Sequence, residues 1–258
     1  MVAVAVVLGY CGIAMALLVI GGLRGNWLMA GIGIAMYTAV PVAAGLIETG
    51  PGRRWRERRL RPEAEALGLD VSAEDRFGLT ELPLAVSTGL VEVFNVFWGE
   101  REGVDVRCFQ YWVTEVQPGE RVRGVALAMA DAPNPDPRKD YYRCAVAALE
   151  RPAPRLVLAR QKRVRKLAGR AERPRVTVSE RRFDSTFEAY ADDPALAARL
   201  LDDGLRAWLL AGDEDWNFEL VEGWAACYLE PVAETVPLLD AVEGFRREAL
   251  AALDRSAA

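Results

Sequence analysis

Residues 1–47 carry one charged side chain, Arg24, and the stretch just after them, 52–61, is crowded with arginine. A helix needs about 20 apolar residues to cross the roughly 30 Å hydrocarbon core of a bilayer. The runs 2–23 and 28–47 both meet that length, and the short interruption Arg24-Gly25-Asn26 leaves no room for a domain between them. Backbone polar groups in lipid must be bonded within their own segment, which requires helices there. The pattern therefore predicts a transmembrane helical hairpin over 1–50. Lys and Arg are enriched on cytoplasmic flanks. Arg53, Arg54, Arg56, Arg58, Arg59 and Arg61 follow the second run, so both termini are expected in the cytoplasm, at the cell membrane. A cleaved signal peptide fits less well: the chain lacks a basic start and its first apolar run exceeds a signal core.

Within the second run Gly31, Ala35, Ala39 and Ala43 recur at every fourth position, a spacing that lets helix backbones approach closely. The simplest use of that stripe is packing the hairpin on itself. No Asp, Glu, Lys or Arg lies inside either run, so the usual marker of an ion or proton pathway is missing. Residues 51–70 read as a basic juxtamembrane helix or linker. Its arginines are candidate contacts for an anionic lipid surface, each contributing about 1 kcal/mol.

Residues 71–258 suffice for one ordinary domain, expected to be a mixed α+β domain on the cytoplasmic side. The chain has no histidine, which excludes Ser-His and Cys-His nucleophile pairs, histidine zinc sites and histidine pH switching. Its four cysteines, Cys11, Cys108, Cys144 and Cys227, are far apart in sequence and give no zinc or redox spacing. Phosphate loops, dinucleotide fingerprints and nucleophile elbows are absent, and no cofactor is expected.

Strand-like sequence covers 90–98 and 104–113, joined by a glycine-containing turn, and further strands are expected at 122–130, 143–149, 155–159, 175–179 and 183–190. A basic helix is expected over 161–171. Asp193-Pro194 marks a helix start, followed by an apolar stripe through Leu196, Leu200, Leu205 and Trp208. The runs 218–221 and 224–229, joined by Glu222-Gly223, form the clearest hairpin, and 236–253 closes the chain as a helix.

Three groups of residues are candidates for chemistry. Phe94, Phe97, Phe109 and Trp112 could line an apolar pocket, although aromatics of this kind commonly fill a core. The acidic run Asp213-Glu214-Asp215, converging with Asp202 or Asp203, could hold Mg²⁺ or act in acid–base chemistry, though turns also favour such residues. The basic stretch 155–175 has a single acid, Glu172, but lacks the interleaved aromatics of a base-stacking surface, which argues against nucleic acid.

The segments Gly103-Val104-Asp105-Val106-Arg107-Cys108-Phe109-Gln110-Tyr111 and Phe183-Asp184-Ser185-Thr186-Phe187-Glu188-Ala189-Tyr190 precede the hairpin around Trp224 and a final helix. With two apolar N-terminal runs, this layout resembles uncharacterised bacterial, actinobacterial-type membrane-anchored proteins with two transmembrane helices and a cytoplasmic domain. That group supplies no catalytic residues to carry over. The sequence thus leads to a membrane-anchored interaction module, its partners the lipid bilayer and a protein or a second copy of itself. The alternatives are a small-molecule or lipid-binding module with an aromatic pocket, and a histidine-free enzyme using carboxylates with Mg²⁺.

Overall fold

The computed structural model describes residues 50–86, 90–114, 139–160, 173–212, 215–229 and 234–257, with isolated positions between 17 and 35. The chain divides into two compact units, 1–59 and 60–258. In chain order the elements are α1 (Gly50–Ala66), β1 (Asp70–Glu74), a 3₁₀ turn (Leu79–Glu81), β2 (Leu90–Arg101), β3 (Val104–Thr114), β4 (Lys139–Ala148), β5 (Leu156–Arg160), β6 (Arg175–Val176), α2 (Arg181–Thr186), β7 (Phe187–Ala191), α3 (Pro194–Leu200), α4 (Asp203–Ala211), β8 (Asn217–Val221), β9 (Trp224–Leu229) and α5 (Thr235–Ala257).

The strands form one sheet in the order β1-β2-β3-β4-β9-β8-β5-β7-β6, and every pairing is antiparallel. This corrects the expected fold class of a transmembrane hairpin followed by a mixed α+β domain. Apart from isolated positions, the predicted spans 2–23 and 28–47 lie outside the described residues. Among the described residues no helix is long and apolar enough to cross a membrane. The two longest helices show why: α1 carries the arginine cluster, and α5 carries Asp240, Glu243, Arg246 and Arg247 among its apolar residues.

Two tight hairpins set the register. Glu102 and Gly103 (φ 52° and 80°) join β2 to β3, and Glu222 and Gly223 (φ 46° and 82°) join β8 to β9. Two consecutive positive φ values give the turn whose twist matches paired strands. In β2 the register shifts between Phe94 and Phe97, with Asn95 at φ 54°. The extra residue keeps Phe94 and Phe97 on the same face, where strict alternation would separate them.

Alternation then gives the sheet two apolar faces. Cys108, Ala145, Leu156, Leu158, Phe218, Leu220 and Cys227 lie under the helices and share a core with α5, where Leu238, Leu239, Val242, Phe245, Ala249 and Ala252 are fully buried. The opposite face carries Phe109, Tyr111, Tyr142, Cys144, Ala226 and Tyr228, packed with Leu79, Leu82, Leu84 and Val86.

Several expected elements differ in the structure. The strand expected over 183–190 begins as α2, whose Phe183 ring stacks 5.5 Å from that of Phe187 at the start of β7. The single helix expected after Pro194 is two, because Asp202 starts a new one by accepting the Leu205 N–H at 2.9 Å. The strand at 175–179 is only Arg175–Val176, and β1 was not anticipated. The expected strand 122–130 and basic helix 161–171 lie outside the described residues.

Phe245 stands 4.9 Å from Phe218, ring centre to ring centre, at the middle of the helix-bearing core. Phe245→Ala should destabilise the fold by about 3–5 kcal/mol, read as a lower urea midpoint at unchanged slope.

Candidate functional site

Among the described residues the helix-bearing face leaves an apolar cavity of about 380 Å³. Its wall from α4 is Trp208, Leu209 and Ala211, followed by Gly212. Trp216 and Phe218 line it from the entry to β8, Pro237 and Ala241 from the first turns of α5, and Arg160 from the end of β5. Among the described residues the lining is overwhelmingly apolar, and Arg160 is its one charged residue. The aromatic wall is built by contact: the rings of Trp208 and Phe218 meet edge to face at 5.5 Å, and Phe218 in turn packs on Phe245.

Arg160 is held in place. Its guanidinium donates to the Gly212 carbonyl, lies 3.8 Å from Asp215 and stacks 5.2 Å from the Phe187 ring centre. It pins the loop after α4 while leaving a cation beside an apolar space. A cavity of this volume is within the roughly 300–1,000 Å³ of small-ligand sites. Its apolar lining suits a chain of methylenes.

The residues singled out in the sequence fall elsewhere. Phe97 and Phe109 are buried in the cores of opposite faces. Phe94 and Trp112 touch edge to face at 4.3 Å, with Tyr141 against Trp112 at 4.8 Å. The four therefore line no common cavity. Arg53, Arg54, Arg58, Arg59 and Arg61 are exposed along α1, while Arg56 is half-buried, and Arg59 stands 5.6 Å from the Trp55 ring centre.

Among the acids, Asp213 and Glu214 lie outside the described residues. Asp202 caps α4 and pairs with Arg255, whose guanidinium holds the Asp202 carboxyl below its usual range. Asp203 pairs with Arg206 at 2.5 Å. Among the described residues no cluster of His, Cys, Asp or Glu is arranged to hold a metal ion. The ends of the basic stretch are engaged too: Arg155 binds Glu219, and Arg173 meets Asp192 at 2.9 Å. Cys108, Cys144 and Cys227 are buried, and burial pushes their thiols up (Cys108 to about 11), so none is a ready nucleophile.

A second cavity, about 270 Å³, lies between the β2–β3 hairpin and α5. It is charged, but its groups clasp one another: Arg101 meets Asp240 at 3.0 Å and Glu243 at 3.3 Å, and Arg246 meets Glu150 at 2.9 Å. On the opposite face, Glu219 is fully buried and accepts from Arg155 and from the Ala85 N–H at 2.9 Å. Arg155 also donates to the Pro83 carbonyl, so the pair fastens the stretch 83–85 to the sheet.

The cavity residues Trp216, Pro237 and Ala241 were not recognised from sequence, and Trp208 was read only as part of a core stripe. The signal available was two tryptophans flanking the end of α4, one on each side of Gly212.

No protein-family model matches the sequence, and no curated protein does. The fold is similar to that of the mycobacterial trehalose monomycolate transport factor A in its crystal structure. The TM-score is 0.52 and the sequence identity 16%, over 76% of this chain and 95% of that one. At that identity the likeness is one of fold.

Burial outweighs the Arg155 cation and pushes the Glu219 carboxyl up to about 7, from an ordinary 4.5. As pH rises from about 4.5 to about 7, the unfolded chain releases this proton while the folded chain keeps it. Stability should fall across that window, and Glu219→Gln should flatten that part of the profile. Urea midpoints from pH 4.5 to 8 check both; an unchanged slope in the variant would mean that Glu219 does not titrate there.

Proposed function

We propose that this chain binds a lipid by an apolar chain held in the cavity between α4, β8 and α5, and serves as a lipid-handling factor. The observation that carries this reading is the cavity itself: an aromatic and aliphatic wall, a volume suited to a small ligand, and a single cation beside it. An apolar chain leaving water for such a wall gains about 0.8 kcal/mol per buried methylene. Trp208, Trp216 and Phe218 offer broad apolar ring faces to such a chain.

The protein of similar fold is a trehalose monomycolate transport factor. A role in lipid transport accords with an apolar cavity of this size. The interaction-module reading draws no comparable support from a specific feature of the fold.

The test is saturable binding of a fluorescent single-chain fatty acid by the full chain, below the concentration at which the ligand forms micelles. Ala241, on the α5 wall, is half-buried and faces the space. Ala241→Leu should obstruct it and weaken binding at least tenfold while leaving the thermal transition near that of the parent. Absence of saturable binding in the parent, or full binding in the variant, would contradict the reading.

A further inference from the structure

We infer that Arg160 makes the cavity a site for lipids with an anionic end group, its guanidinium pairing with a carboxylate or phosphate while the apolar wall takes the chain; this rests on the lipid-binding reading above. Among the described residues Arg160 is the one charged residue of the lining. A guanidinium is never deprotonated in a protein, and only 16% of the Arg160 side chain remains exposed. A charge withdrawn from water needs compensation from its surroundings. What the fold supplies is incomplete. One terminal nitrogen donates to the Gly212 carbonyl, a neutral acceptor. The other stands 3.8 Å from the Asp215 carboxylate, beyond the roughly 2.7–2.9 Å of a charge-assisted hydrogen bond. The Nε–H is buried without an acceptor. The Phe187 ring, 5.2 Å away, attracts the cation but carries no charge.

Other arginines of the fold are matched more closely: Arg107, Arg173 and Arg246 reach their carboxylates at 2.7, 2.9 and 2.9 Å. Gly212 is itself a wall residue and Asp215 precedes the wall residue Trp216, so the guanidinium that touches Gly212 sits at the wall. The Gly212 carbonyl and the Phe187 ring hold it there before any ligand arrives. An incoming anion then meets a placed cation, and binding bears less of the cost of ordering a long side chain. The planar fork of a guanidinium matches the paired oxygens of a carboxylate or phosphate. Asp215 is the internal competitor, and with 37% of its side chain exposed it turns to water when an external anion takes its place. A lipid without an end charge gains only the burial of its chain. The site thus separates lipids by the charge of their end group.

The experiment is calorimetric titration of the full chain at neutral pH with decanoic acid, decyl phosphate and decanol, each below the concentration at which it aggregates. The three share one chain and differ in the end group. The parent should bind the acid, the phosphate or both at least tenfold more tightly than the alcohol, and the tighter of the two identifies the end group. Arg160→Gln keeps a donor for the Gly212 carbonyl and removes the charge. It should bring the charged ligands to the level of the alcohol and leave the alcohol unchanged. Asp215→Asn removes the competitor and should tighten the charged ligands at least threefold, again with the alcohol unchanged.

A parent that binds the alcohol as tightly as both charged ligands would overturn the inference and leave the lipid-binding reading standing. So would an Arg160→Gln variant that weakens all three ligands equally, or one that keeps the preference for charge. If Arg160→Gln does not fold, Asp215→Asn decides, since unchanged binding of the charged ligands there overturns the inference. A parent that binds none of the three overturns the lipid-binding reading and takes this inference with it.

Discussion

A sheet of nine antiparallel strands has two apolar faces to remove from water, and the burial of one of them beneath α5 is the constraint on which the candidate site depends. Each large side chain fully buried there stabilises by about 1.5–3 kcal/mol, and α5 contributes Leu238, Leu239, Val242 and Phe245 in a single stripe. Phe245 against Phe218 fixes the helix on β8, and Trp208 against both brings α4 alongside. The cavity is the space this packing does not fill: α4 ends at Ala211 and the chain turns through Gly212 before the first turns of α5 are covered. Site and core are therefore one construction, with the same aromatic rings facing inward to the core and outward to the cavity.

The other face is secured differently. An apolar set including Tyr111, Tyr142 and Tyr228 is joined there by a buried carboxylate, Glu219, and its Arg155 partner. Such a pair adds little net stability compared with an apolar replacement, but losing one partner leaves a buried charge and is costly. What the pair contributes is placement: the Ala85 N–H and the Pro83 carbonyl each find a partner on it, which holds the stretch 83–85 in one register over the sheet.

Local signals in the sequence were reliable wherever local physics decides the outcome. Glu102-Gly103 and Glu222-Gly223 both announce hairpins because glycine tolerates the positive φ such turns need. Asp193 with Pro194 announces a helix start, realised when Asp193 accepts the Leu196 N–H at 3.0 Å. The same signal at Asp202 was passed over, that residue being read instead as a candidate Mg²⁺ or acid–base carboxylate, although its side chain caps α4. Phe183 and Phe187 are both buried, a spacing of four that belongs to a helical turn as readily as to a strand edge. β1 could not be read, since Asp70–Glu74 is short and polar and becomes a strand only by pairing with β2. The arginine cluster after an apolar stretch argued for a membrane hairpin, whereas the described fold is organised around the sheet. The cavity was illegible for a more basic reason: its walls come from positions 160, 208–212, 216–218 and 237–241, which only the sheet order and the docking of α5 bring together. The bulge at Asn95 likewise set the facing of Phe94 and Phe97, and no alternation pattern reveals a bulge.

The most direct test of the account is photo-crosslinking of the full chain with a fatty acid bearing a photoreactive group at the end of its chain, followed by mapping of the labelled peptides. The account predicts labels confined to 208–218 and 237–245, suppressed by excess unlabelled fatty acid. Labels spread over the protein surface, or concentrated away from α4 and α5, would contradict it.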